Sequence, residues 1–180
     1  VSGPVFALLA LWVTSYRNSW GMVFHTDNLL VVHLCLLALG DSARALAIDA
    51  RGRPEPAPDG RFGWPVRLIS AVTVLAYVLA GIAKLKVSGF NWMDGETLRN
   101  YIAFDAVRKE QVGSVHSPFG AWLVQFAWPF PIVSTVTMAL ELLGPLALFH
   151  PWAARLWVFG VYGFHIGVLA TMAIAFPYPL

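Results

Sequence analysis

Long apolar stretches alternate with short polar segments along the whole chain. Because the hydrocarbon core of a bilayer is about 30 Å thick, an α-helix needs about 20 apolar residues to cross it. Four stretches reach or approach that length and a shorter one opens the chain; they cover residues 4–16, 23–39, 68–83, 130–149 and 152–176. The pattern predicts an all-α fold, a polytopic transmembrane helix bundle of about five spans with the first one truncated. We expect one domain over residues 1–180.

Tryptophan marks the ends of these predicted spans. Its amphipathic ring is enriched at both membrane–water interfaces, so a tryptophan next to an apolar stretch supports the boundary of a span. The tryptophans at or just outside span ends are Trp20, Trp64, Trp92, Trp122, Trp128 and Trp152.

Two polar connections separate the spans. Segment 42–64 is rich in arginine, proline and glycine, which predicts an exposed loop. Segment 86–120 is long for a loop, and early acids are followed in it by Leu98, Tyr101 and Ile102 at helical spacing. This pattern predicts an interfacial amphipathic helix over residues 95–110, with those three side chains facing inward.

Composition narrows the class of protein further. Hydrophobic residues make up 58% of the chain and charged residues 12%, whereas soluble domains are about 25% charged. The composition indicates an integral membrane protein and excludes a nucleic-acid binder or a disordered chain. The lone cysteine, Cys35, cannot form an internal disulfide. Basic residues divide evenly between the two predicted faces, which leaves the membrane orientation open. The first residue is Val1 rather than methionine, so we expect an incomplete N-terminus.

Lys84 is the first ionisable residue at membrane depth that needs an explanation. A charge at the centre of a span costs at least about 2.5–3.5 kcal/mol. Lys84 follows the small residues Ala80, Gly81 and Ala83 at the end of a predicted span. It is either an interfacial anchor that extends to lipid headgroups, or a partly buried amine that acts as a base on a phenol or quinol. We expect it to point into the bundle.

Glu141 and His165 fall within the last two predicted spans. Glu141 is either a protonated or paired group that joins two helices, or a proton relay. His165 lies among Gly160, Gly163 and Gly167, and it makes either an interhelical hydrogen bond or a ligand contact. No HExxH spacing and no Cys/His cluster is present, so we expect no metal site. Haem ligation by two histidines stays open, but no spacing favours it.

Short motifs along most of the chain resemble the vitamin K-dependent γ-carboxylase superfamily. These motifs are Leu79-Ala80-Gly81-Ile82-Ala83-Lys84-Leu85, Asn91-Trp92-Met93-Asp94-Gly95, Arg17-Asn18-Ser19-Trp20, His25-Thr26-Asp27-Asn28-Leu29, Glu141 and Phe164-His165. The chain looks most like the bacterial branch called HTTM, the horizontally transferred transmembrane domain. The resemblance implies a multi-pass protein of the bacterial inner membrane.

The same resemblance implies the roles of individual residues. In the carboxylases, a lysine in this stretch deprotonates vitamin K hydroquinone, which then reacts with oxygen. By position Lys84 is that base, His25 is the histidine of the earlier helix, and Glu141 relays protons. Trp92 and His165 are then expected to line the site of a vitamin K or menaquinol-type quinol, with no other cofactor. The carboxylases continue into a large extramembrane domain, so we do not expect these residues alone to carboxylate a protein glutamate.

Three functions are compatible with the sequence. The first is a carboxylase-like membrane enzyme acting on a quinol-like lipid. The second is a non-catalytic integral subunit or scaffold that packs within a larger membrane protein complex. The third is a small transporter, which has the least support because the sequence shows no inverted repeat and no paired broken helices. The partners expected are the lipid bilayer, a quinone-like lipid and such a complex, and no nucleic acid.

Overall fold

A computed structural model describes the backbone of residues 2–20, 25–40, 51–52, 54, 57, 59–60 and 63–176. The side chains of His25 and Thr26 lie outside the described part. Most of the predicted loop over residues 42–64 lies outside it as well, and among its described residues Arg51 and Gly52 form an exposed turn.

The described residues form α-helices and two short 3-10 helices, and none of them lies in a β-strand. The all-α prediction is therefore confirmed. The helices are α1 (Ser2–Asn18), α2 (His25–Leu39), α3 (Trp64–Ser88), α4 (Glu96–Gln111), α5 (Pro118–Leu123), α6 (Pro129–Leu142) and α7 (Pro151–Met172). The 3-10 helices are Gly89–Asp94 and Gly144–Leu148.

Proline and capping residues set the helix starts in the second half of the chain. Proline occupies the first turn of α5, α6 and α7, where its missing N–H has no intrahelical partner in any case. The Ser117 side chain accepts a hydrogen bond from the Gly120 amide at the start of α5. His150 Nδ1 accepts from the Trp152 amide at 3.2 Å at the start of α7.

Two helices of the described part are long and apolar enough to cross a membrane. They are α3, continued by its 3-10 extension to Asp94, and α7. Helices α2 and α6 are apolar but shorter. The predicted span 130–149 is interrupted, because Gly144 and Pro145 end α6 and begin a 3-10 helix. Five spans thus stays a prediction, and Glu141 lies in the last turn of α6 rather than in the middle of a span.

Helix α4 forms where the interfacial helix is predicted. Ile102 is buried and Leu98 is partly buried, as expected. Tyr101, however, is 56% exposed, so its predicted inward direction is wrong. The buried positions of α4 are instead Ile102, Asp105 and Ala106. Asp105 can be buried because Arg108 and Lys109 pair with it, Lys109 at 2.8 Å.

The contacts divide the described residues into two compact units, 2–73 and 74–176, with the division inside α3. In the first unit α1 packs against α2, and the Arg17 guanidinium pairs with the Asp27 carboxylate. The prediction of one domain over residues 1–180 stays a prediction.

The second unit is built around α6. Its buried positions are Phe130, Ser134, Thr137, Met138 and Glu141, which recur every three or four residues and so share one helix face. Phe130, Ser134 and Met138 are the most deeply buried side chains among the described residues. Glu141 lies at the end of this face.

Candidate functional site

One face of α3 carries the residues that form the site. Val74, Tyr77, Gly81 and Lys84 recur at three- and four-residue spacing, so the four positions lie on the same side of the helix. This face meets α6 at Gly81, where an added Cβ would lie 3.1 Å from the Glu141 Cβ. A glycine at this position lets the two helix backbones approach closely one turn before Lys84.

The Lys84 Nζ donates a hydrogen bond to the Glu141 Oε1 and forms an ion pair with that carboxylate. The lysine side chain is 21% exposed and the glutamate side chain 7%. Lys84 thus points toward α6, as expected, rather than extending to solvent. Glu141 is paired, which accounts for a carboxylate at this depth.

Trp92 covers the amine of this pair. Its ring centroid lies 5.1 Å from Lys84 Nζ, a distance at which the negative face of an indole attracts a cation. The ring is buried and is carried by the 3-10 helix that follows α3. Gly95 ends that 3-10 helix with φ 82°, in the left-handed region that favours glycine. A Cβ at Gly95 would collide with the backbone of Phe130 and Pro131, so this glycine holds Trp92 close to α6.

A second polar pair lies between α3 and α7. The Tyr77 hydroxyl and His165 Nε2 are 2.6 Å apart, and both side chains are held by aromatic contacts. The Trp157 ring meets Tyr77 edge to face at 5.2 Å, and its Nε1 donates to the Leu140 carbonyl at 2.9 Å. Tyr77 also lies within electrostatic range of Glu141. The two polar pairs therefore belong to one neighbourhood of the second unit.

Several buried polar atoms of this neighbourhood have no hydrogen-bond partner among the described residues. They are Glu141 Oε2, Trp92 Nε1 and His165 Nδ1. Buried polar atoms are almost always hydrogen-bonded, so each unpartnered one needs an explanation. A polar ligand or an ordered water would provide it here.

The structure brings together four of the five residues that the sequence singles out. Lys84, Glu141 and Trp92 are in contact, and His165 joins them through Tyr77. His25 begins α2 in the other unit, and its side chain lies outside the described residues. The chemical roles of all five stay predictions.

Tyr77 belongs to the site but was not singled out from the sequence. A signal was present, because Tyr77 precedes Lys84 by two helical turns and so lies on the same helix face. A polar residue two turns from a charged one on an apolar helix shares its face, and is therefore a candidate for the same site.

The described residues also line two open cavities. One, of about 350 Å³, lies between α1 and α2 beside Thr14, Asn18 and Asn28. The other, of about 490 Å³, lies between α4 and α5 beside Glu110, His116 and Trp122. Neither of these two is lined by Lys84 or Glu141. No group of three or more metal-ligating side chains is gathered in the described part of the chain.

Comparison with known proteins places the chain in a family. No curated protein matches it, and no solved structure does. The family model of the HTTM domain matches residues 10–179, nearly the whole sequence. The resemblance to the vitamin K-dependent carboxylase superfamily is consistent with that match. Together with the two apolar helices, it identifies a membrane protein that belongs to the HTTM domain family.

Proposed function

We propose that this HTTM chain is a carboxylase-like membrane enzyme that acts on a quinol, or a similar lipid, with oxygen. The observation that carries the proposal is the buried contact between Lys84 and Glu141 beneath the ring of Trp92. In this proposal the Lys84–Glu141 pair removes a proton from a substrate hydroxyl. Lys84 is the base, as the family resemblance implies.

The residues around the pair suit a hydroquinone. Its flat aromatic body matches an aromatic lining such as Trp92 provides. Its hydroxyl is a hydrogen-bond donor, and Glu141 Oε2 is a buried acceptor without a partner in the described residues. A hydroquinone supplies the electrons that reduce oxygen, and the chain's own part is to bind it, take up its proton and stabilise the anion.

The Tyr77–His165 pair supports the same proposal from the α7 side. A histidine hydrogen-bonded to a phenol is an ordinary component of proton relays. At 2.6 Å, with the carboxylate of Glu141 within electrostatic range, this pair has the geometry to pass a proton onward. We propose that His165 and Trp92 line the quinol site; a catalytic role of His25 rests on the family resemblance alone.

The proposal includes a topology. About five spans, with α4 lying at the membrane surface, would make the chain a multi-pass protein, and a bacterial inner membrane is the compartment that the resemblance implies. The apolar helices α2 and α6 support additional crossings beyond α3 and α7.

Oxygen consumption by purified protein tests the proposed activity. The hydroquinone of a 1,4-naphthoquinone is added to wild-type protein in lipid nanodiscs, and oxygen uptake is recorded. Loss of a general base lowers a rate by about 100-fold or more, so Lys84→Ala should abolish the uptake. Lys86→Ala is the matched control, since Lys86 lies on the same helix but is exposed. Circular dichroism establishes that each variant is folded. Equal uptake by the two lysine variants would refute the proposal.

One observation favours a second function, packing against another membrane protein. Gly163 and Gly167 of α7 have open space where a Cβ would lie, whereas Gly160 packs on Leu140. Small residues on an uncovered helix face permit close approach of a partner helix. Absence of oxygen uptake, combined with co-purification in a fixed ratio with a larger complex, would establish this function instead.

A further inference from the structure

The chain reverses direction at the end of α7. Ala173, the residue after that helix, has φ 52° and ψ 36°, and among the described residues it is the one non-glycine residue with a positive φ. The Phe176 ring then reaches His165, with 5.0 Å between the two ring centroids. His165 lies about 10 Å before the end of α7, so the segment returns along the helix. We propose that residues 173–176 are a lid, closed in this structure, that controls the access of small molecules to the His165 imidazole.

The helix end from which the lid starts is held in place by α4 and α5. Ser117 Oγ and Lys109 Nζ each donate a hydrogen bond to a carbonyl in the last turn of α7. Carbonyls at a helix C-terminus have no partner within the helix, so these bonds anchor the end of α7. Gly120 lies so close to the Thr171 carbonyl that an added Cβ would collide with it. Because the helix end is fixed, a movement of the lid pivots at Ala173.

The backbone conformation of Ala173 suits a pivot. In the left-handed region the Cβ of an alanine crowds the following carbonyl, so this conformation is less favourable than a helical or an extended one. The contact between Phe176 and His165 opposes that cost, since it buries both rings. The closed lid therefore combines a strained bend with a ring contact, and an open lid lacks both. Two such states are close in energy, as a switching element requires.

The lid covers a polar atom that is available to a ligand. His165 is 6% exposed, and its Nε2 is committed to the Tyr77 hydroxyl at 2.6 Å. Its Nδ1 is buried and has no partner among the described residues. The rings of Tyr77 and Phe164, which also contact His165, belong to α3 and α7, whereas Phe176 is carried by residues outside a helix. The wall that can move is therefore the wall that Phe176 forms.

This inference goes beyond the proposed function. A lid over His165 controls access to the Tyr77–His165 pair for any small molecule, whether or not the chain acts on a quinol. It can therefore be tested without quinol, oxygen or turnover, and the two proposals can fail separately.

Diethyl pyrocarbonate, which modifies neutral histidine side chains that it can reach, tests the lid on the full chain in lipid nanodiscs. Peptide mass spectrometry gives the rate of modification of each histidine separately. His150 is exposed at the start of α7 and is the reference. The minor state of a two-state element is typically populated at about 0.1–10%, so His165 in the wild type should react at most about one-tenth as fast as His150. Equal rates at the two histidines would overturn the lid.

Phe176→Ala removes the cover and leaves the bend unchanged. The rate at His165 should rise about tenfold, while the rate at His150 stays the same. Phe119→Ala is the matched control, because it removes an exposed phenylalanine of α5 and should change neither rate. An unchanged rate at His165 in Phe176→Ala would show that the ring closes nothing.

Two substitutions of Ala173 test the pivot while Phe176 stays in place. Glycine adopts the left-handed conformation without a Cβ clash, so Ala173→Gly should keep the lid closed and the rate at His165 no higher than in the wild type. Valine is β-branched and disfavours that conformation, so Ala173→Val should raise the rate toward that of Phe176→Ala. Equal rates in the two variants would overturn the pivot. A simultaneous rise at His33, which is buried in α2, would mean that the fold loosens generally, and it would overturn the lid as well.

Discussion

Charge compensation determines which substitutions Lys84 and Glu141 tolerate. Each partner offsets the cost of burying the other, but they are not equally buried, because the lysine side chain is 21% exposed and the glutamate side chain 7%. An amine that reaches polar surroundings retains part of its solvation, whereas the glutamate depends on its partner. Loss of the lysine is therefore more harmful to the fold than loss of the glutamate.

A double-mutant cycle measures this dependence. Lys84→Met leaves a bare carboxylate beside apolar helices, and we expect it to lower the free energy of unfolding by about 3 kcal/mol. Adding Glu141→Leu to the same protein should recover most of that loss, since a buried pair replaced by apolar residues of similar volume is often neutral. Unfolding by sodium dodecyl sulfate, followed by circular dichroism, provides the measurement. Equal loss in the single and the double variant would show that the pair is not coupled.

Gly81 sets how closely α3 approaches α6. A Cβ there would meet Leu142 Cγ and Glu141 Cβ at 3.1 Å, so a larger residue forces the helices apart or the side chains off their rotamers. We expect Gly81→Val to destabilise the protein by about 1–3 kcal/mol.

Gly163→Val is the matched control for Gly81→Val. Gly163 is also helical, but nothing lies within 4 Å of its would-be Cβ, so little change in the melting temperature is expected. Equal destabilisation by the two variants would mean that valine is harmful at either position, and that close packing of α3 on α6 does not explain the Gly81 result.

At the scale of single elements, α4 presents two different faces. Ile102, Asp105 and Ala106 are buried, whereas Tyr101 and Phe104 are exposed by more than half. The placement of α4 in the membrane interface stays a prediction, and these two faces make it testable.

Spin labels along α4 test that placement. Labels at positions 101, 104 and 107 should be accessible to oxygen dissolved in lipid, and labels at 102, 105 and 106 should be protected. The accessibility should therefore oscillate with a helical period of about 3.6 residues. A flat profile, or a profile in which a water-soluble relaxing agent reaches all six positions, would contradict an interfacial helix.

The helices are the part of this structure that the sequence predicts well. Apolar length identifies α3 and α7, and early acids identify the start of α4, because these signals are local. Gly144 and Pro145, which follow the last turn of α6, are also a local signal that the helix ends. The apolar length of residues 130–149 nevertheless predicts an uninterrupted span.

The connections between helices are harder to predict. Lys84 and Glu141 are 57 residues apart, and nothing in either segment alone specifies that their side chains meet. Tyr77 and His165 are 88 residues apart, and nothing in either segment specifies that these two side chains form a pair. The residue types at the site were therefore largely predictable, whereas their pairing required the fold.

At the largest scale, the described helices expose many apolar side chains. Leu156 and Phe159 of α7 are 70% and 75% exposed, and most of the apolar surface of α3 is exposed as well. Water does not favour such a surface, but lipid chains cover it without cost. We expect the protein to stay in the membrane pellet after a sodium carbonate wash and to require detergent for release. Appearance in the carbonate supernatant would contradict a membrane-spanning chain.

Cysteine labelling tests whether α3 crosses the membrane. In a Cys35→Ser background, single cysteines are placed at the exposed positions 52 and 115, one before and one after α3. A membrane-impermeant maleimide should label one of them in sealed vesicles and the other in inverted vesicles. Labelling of both positions from the same side would contradict a crossing by α3, and the chain would then have fewer spans than predicted.

The distance between Lys84 and Glu141 along the chain has a consequence for biosynthesis. A ribosome adds about 5–20 residues per second, so the 57 residues between the two partners take about 3–11 seconds to synthesise. During that interval the lysine of α3 has been synthesised and its counter-ion does not yet exist. In cells, chaperones and proteases act on chains that stay unfolded, so a loss of stability lowers the amount of protein. Variants that lack one partner should then be recognised as unassembled and degraded, so that the amount of protein in the cell reports on the pair before any reaction is measured.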